Sequence, residues 1–115
     1  MKNKEKLLNT FPDFEQDLKT RLKDEQYAQL WLKSAIEDYS IDKDINALVI
    51  NLKPLIEAKY TICGFSKLIG IHRITLYKIF SNKIIPSITI LTKIFNGLGY
   101  ELTIDAKPLK QLANW

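Results

Sequence analysis

The chain has 115 residues, with 17 Lys and Arg against 13 Asp and Glu for a formal net charge of +4; this length suits one domain with a modest core and excludes two independent ones. No apolar run reaches the roughly 18 residues of a membrane span, and the start turns polar before a signal-peptide apolar region forms, so a soluble cytoplasmic protein with no membrane contact is expected. A lone Cys63 and a lone His72 exclude an intrachain disulfide and a zinc-ligand set, so no metal or other cofactor is expected and Cys63 reads as a buried small residue.

In "PDFEQDLKTRL", Phe14, Leu18 and Leu22 recur at helical spacing with Asp13 placed to cap them, which predicts a short, charge-rich helix. "DEQYAQLWLKSAIEDY" predicts a stronger amphipathic helix, with Tyr27, Leu30, Trp31, Ala35 and Tyr39 on one stripe and Asp24 or Glu25 at its start. The third helix begins near Asp42 to Asp44 and carries Ile45, Leu48, Val49, Leu52 and Ile56. Pro54 lies within its pattern. A proline there removes the bond to the carbonyl of Ile50 and clashes with that turn, so a kink or an early stop near Lys53 is expected.

Beyond Tyr60 the apolar spacing runs through Ile62, Phe65, Leu68 and Ile69, stops at Gly70, and resumes with Ile71, Leu76, Ile79 and Phe80. Two short helices around a tight turn are predicted. "IPSITILTKIFNGLG" predicts another helix, with Ser87 as N-cap, Ile88, Leu91, Phe95 and Leu98 on one face, and Gly99 as the stop. "YELTID" alternates Tyr100, Leu102 and Ile104 with polar residues, a period of two that predicts one strand. A strand needs a partner, and the chain offers no second strand pattern, so a copy from another subunit or a strand of another protein is the simplest mate.

The segment "FSKLIGIHRITLYKIFSNK" meets the demands of a helix-turn-helix. Ser66 is the small residue where the second helix crosses the first, Gly70 supplies the positive φ of the turn, and Ile71, Leu76 and Ile79 anchor the second helix. Arg73, Thr75, Tyr77 and Lys78 are left over for the major groove or its phosphates. Charge points the same way. Residues 1–60 carry ten Lys and Arg against eleven acids, whereas residues 61–115 carry seven against two. Between Thr61 and Tyr100 the five cations Lys67, Arg73, Lys78, Lys83 and Lys93 meet no acid at all, while a merely solvated helical face usually mixes signs.

Three ordered blocks resemble the DNA-binding addiction-module antidote proteins, antitoxins with a lambda-repressor-like helix-turn-helix of the HigA-like kind. "YAQLWLKSAIED" is similar to the family's early helix, "GIHRITLYKIFS" to its turn and recognition helix, and "PSITILTKIFNGLGYELTI" to its following helix and strand. The likeness covers about Asp24 to Ile104. This chain departs from the family pattern at Cys63 and Gly64, where a Ser-Gln pair is usual, at Ser66, where Ala is usual, and at His72, where Ser is usual.

The resemblance implies a mainly α fold, a lambda-repressor-like helix-turn-helix bundle, here with extra N-terminal helices and one C-terminal β-strand. Residues 1–23 read as an N-terminal extension for a partner, 24–106 as the helical DNA-binding domain with its helix-turn-helix at about 61–80, and 107–115 as a tail. Arg73, Tyr77 and Lys78 match the family's motif; Thr75 is added from helix geometry. Arg73, Thr75 and Tyr77 are the candidate base contacts, and Lys67, Lys78, Asn82, Lys83, Ser87 and Thr89 the candidate phosphate contacts.

Tyr100, Leu102 and Ile104 are the candidate dimer face, in a homodimer spanning operator half-sites about one turn of double-stranded DNA apart. The implied function is that of an antitoxin and transcriptional repressor of a type II toxin-antitoxin module, not an enzyme, with a RelE/HigB-like ribonuclease as its toxin. Phe14, Leu18 and Leu22, on an acidic N-terminal half, are the candidate toxin anchors. The competing readings are a free-standing prophage-type regulator with no toxin and, from another class, a small basic ribonuclease toxin. The last would need several strands.

Overall fold

The computed structural model describes residues 12–109; residues 1–11 and 110–115, with Trp115, lie outside them. Among the described residues there are six helices: α1 (Pro12–Arg21), α2 (Glu25–Asp42), α3 (Ile45–Lys59), α4 (Ile62–Ile69), α5 (Arg73–Phe80) and α6 (Ile88–Gly97). Helix α3 is the hub. It packs against α1, α2, α4 and α5, and α4 in turn packs against α5 and α6.

The helix starts are written in short polar side chains. Asp24 accepts from the Gln26 amide at 3.2 Å, Asp44 from Ala47 at 3.2 Å, Thr61 from Gly64 at 2.9 Å and Ser87 from Ile90 at 3.2 Å. Each cap satisfies one of the amides that a first turn leaves without an intrahelical partner. Asp13 lies within α1, whose described part begins at Pro12.

Pro54 does not end α3, which continues to Lys59. The lost backbone bond and the ring clash cost on the order of 3 kcal/mol. They are offset because Leu48, Val49, Asn51, Leu52, Leu55, Ile56 and Ala58 are all buried on both sides of the proline, at roughly 1.5–3 kcal/mol for each large apolar side chain.

The buried stripe of α2 also differs from expectation. Ala28, Leu32 and Ala35 form it, Tyr27 and Trp31 pack at its edge, and Leu30 is exposed. Trp31 ties α2 to α3 by donating its indole N–H to the Asn51 carbonyl at 2.8 Å.

Helix α1 joins the same core. Leu18 and Leu22, expected as exposed anchors for a partner, are 4% and 1% exposed and packed inside the chain; Phe14 alone of the three faces solvent. In α6 the fully buried positions are Ile94 and Phe95, while Ile88 is exposed. Cys63 is only half-buried.

The expected C-terminal strand is not formed, and no strand occurs among the described residues. A strand is held by a ladder of hydrogen bonds to a neighbour, and the described residues supply none. Residues 100–109 run without regular structure. Tyr100 and Leu102 pack against the chain's own core, leaving Ile104 at 74% exposure.

Candidate nucleic-acid interface

Helices α4 and α5 meet at a turn built by one residue. Gly70 closes α4 with φ of 71°, and its amide and that of Ile71 both reach the Ser66 carbonyl, at 2.9 and 3.1 Å. A side chain at this φ would be strained by roughly 1 kcal/mol or more. Ser66 is buried at the crossing, its hydroxyl donating to the Cys63 carbonyl at 2.8 Å. Ile71, Leu76 and Ile79 are buried against the core as the pattern requires.

Helix α5 starts at His72, whose Nδ1 accepts from the Ile74 amide at 3.2 Å. A histidine thus fills the capping place without the shorter hydroxyl more usual there. The far end closes through Asn82, which takes φ of 62° and lets the Lys83 amide reach the Lys78 carbonyl at 2.8 Å. Ser81 adds a hydroxyl donated to the Tyr77 carbonyl at 2.7 Å. This closure holds Lys83 beside the end of the helix.

With Leu76 and Ile79 turned inward, α5 presents Arg73, Ile74, Tyr77 and Lys78 to solvent. Thr75 is half-buried and sits on the flank nearer the core; the expectation that it shares the outward face with Arg73 and Tyr77 is corrected on that point. The sequence pattern did not single out Ile74, although its spacing from Leu76 and Ile79 on a helix already places it outside. Lys67 lies on α4, and together with His72 and Arg73 it rims a shallow depression of about 470 Å³ at the turn.

Ser87 and Thr89 are exposed at the start of α6, where Ser87 accepts from an amide and can still donate its own O–H. None of Lys67, Arg73, Lys78, Lys83 and Lys93 forms an ion pair among the described residues; pairs that do form include Arg21–Asp17 at 3.0 Å and Lys59–Glu25 at 3.3 Å. The structure therefore brings together the turn, an exposed short helix and uncompensated cations.

The family model of helix-turn-helix proteins matches residues 56–104, from the last turn of α3 through α6 to Ile104. This segment is a helix-turn-helix DNA-binding domain. The match supports sequence-specific DNA binding and a role in transcription regulation. No curated protein and no solved structure matches the chain. Within the helix-turn-helix, α4 is the supporting helix and α5 the recognition helix. No group of three or more His, Cys, Asp or Glu that could hold a metal ion occurs among the described residues, and none of their helices is long and apolar enough to cross a membrane.

Proposed function

We propose that the chain is a dimeric, non-enzymatic transcriptional repressor that lays α5 in the major groove of its operator. The observation that carries this reading is the outward face of α5: Arg73, Tyr77 and Lys78 stand exposed on a capped helix at the turn of a helix-turn-helix, in a stretch without acids. Arg73 opens the helix and has the reach for a bidentate contact to guanine. Lys67, Lys78, Asn82, Lys83, Ser87 and Thr89 flank it at positions suited to phosphates, which set register without reading sequence.

The experiment separates a reader from a positioner. Arg73→Ala should lose roughly 1–3 kcal/mol of discrimination between the selected operator and random duplex. Lys83→Ala should weaken binding to both alike and lower the slope of log K against log salt by about one. Equal effects of both changes on both duplexes would overturn the assignment.

For the dimer, the support is an apolar groove of about 510 Å³ between α2, α3, α6 and residues 101–105, edged by the exposed Ile36, Ile88 and Ile104. Because Leu102 serves the chain's own core, Ile104 is the better part of the proposed face.

The antitoxin role rests on the family resemblance of the three sequence blocks. The free-standing regulator is the second reading, and one observation favours it: Leu18 and Leu22, two of the three apolar anchors suggested for a toxin, are occupied inside the chain. Co-expression with the neighbouring reading frame decides between them. A toxin partner would copurify with this chain, and a free-standing regulator would come through alone.

A further inference from the structure

We propose that Ile74 reads a base as well, packing on the 5-methyl group of a thymine, so that the operator half-site holds an A·T pair beside the base contacted by Arg73. The inference rests on the DNA-binding reading above and names what that surface recognises. At about 100° per residue, Ile74 lies about 200° from Leu76 and about 140° from Ile79, the two side chains that are buried to within 1% exposure.

Ile74 is thus the α5 residue most nearly opposite the core. Tyr77 and Lys78 stand about 50° to either side of that line and Arg73 about 90° from it. Ser81 shares the line, but it lies past the far end of the helix with its hydroxyl already donated to the Tyr77 and Lys78 carbonyls.

A recognition helix docked in the major groove meets base edges through the N-terminal residues of its outward face, and Ile74 is the second residue of α5. It is 53% exposed, flanked by a cation and a phenol. Among the groups that base pairs present in this groove, the thymine methyl is the apolar one; the rest are donors and acceptors. An isoleucine over the methyl removes apolar surface from water, whereas over a guanine or cytosine edge it would strip water from a polar group and return no hydrogen bond. Attraction and penalty act in the same direction. The rival account is that a single exposed isoleucine on a solvated helix is ordinary, and the following test separates the two.

A preferred duplex is first selected from a random pool with the full chain. Each thymine in it is then replaced singly by deoxyuridine, which deletes only the methyl, and binding is measured for the wild type and for Ile74→Ala, with circular dichroism checking that the variant keeps its helices. One replacement per half-site should weaken the wild type about four-fold, the worth of one buried methyl group, and should leave Ile74→Ala unchanged. The inference is overturned if no replacement affects the wild type, or if the sensitive one weakens the variant equally. Failure to select any sequence would overturn the DNA-binding reading itself, and this inference with it.

Discussion

Tyr100 is the side chain where the environment acts most plainly on a titrating group. Burial, and then the nearby Glu25 carboxylate, raise its phenol above the ordinary value of 10.0, with the Lys59 ammonium opposing them. Below the unfolded value the phenol is neutral in both states and the stability it contributes is fully present. As pH rises past about 10 the unfolded chain ionises first, so that stability is lost as pH climbs through the folded value. Denaturant midpoints of the wild type should therefore fall more steeply above about pH 10 than those of Tyr100→Phe, and parallel curves for the two proteins would contradict this. The nearby Glu25–Lys59 pair is mostly solvated and worth little, roughly 0–1 kcal/mol.

Other residues are legible from the amino-acid pattern alone. Asp24, Asp44 and Ser87 are caps because a short oxygen one residue ahead of an apolar repeat has few other uses. Leu30 is not legible in this way, since helical spacing alone does not say which of two adjacent stripes meets a neighbour, and here the stripe of Ala28, Leu32 and Ala35 is the one buried.

The joint between α4 and α6 depends on an absent side chain. A Cβ at Gly97 would lie 2.5 Å from Ile69 Cγ2 and 2.9 Å from the Phe65 ring, and Phe65 is fully buried with nowhere to move. Gly97→Ala should force α6 away from α4 at a cost of about 1–3 kcal/mol, partly offset by alanine's better helix propensity. A net loss near 1 kcal/mol corresponds to a thermal midpoint lower by roughly 4–8 °C, readable by calorimetry. Because Ser87 and Thr89 open α6, the same tilt should weaken DNA binding beyond what the stability loss explains.

The elements divide in the same way as the residues. All six helices are visible in the apolar spacing, and α3 crosses its proline because burial outweighs a local rule. The strand expected at Tyr100 to Ile104 came from a pattern whose realisation depends on a neighbour, so alternation alone could not specify it.

For the whole molecule the main change concerns the N-terminus. The charged segment before Asp24 looks detachable in sequence, yet α1 and the turn after it place Leu18 and Leu22 in the common core, with α1 packed against α3. Losing buried leucines costs about 2–5 kcal/mol each, against a total stability of roughly 5–15 kcal/mol for a typical domain. Deletion of residues 1–23 should thus lower the thermal midpoint sharply and impair operator binding together with any partner binding. A truncated protein that melts like the full chain would show that α1 is dispensable.

The division of charge has a consequence for how the molecule reaches DNA. Residues 12–60, which hold α1 to α3, carry ten acids against seven Lys and Arg, whereas residues 61–100, which hold α4 to α6, carry five Lys and Arg and no acid. Such a body is an electrical dipole. In the field of a duplex it feels a torque as well as a pull, so encounters are biased toward collisions with α5 foremost and against those with the acidic end. The bias acts over about a Debye length, roughly 8 Å at physiological salt, and orients the protein in the last moments before contact.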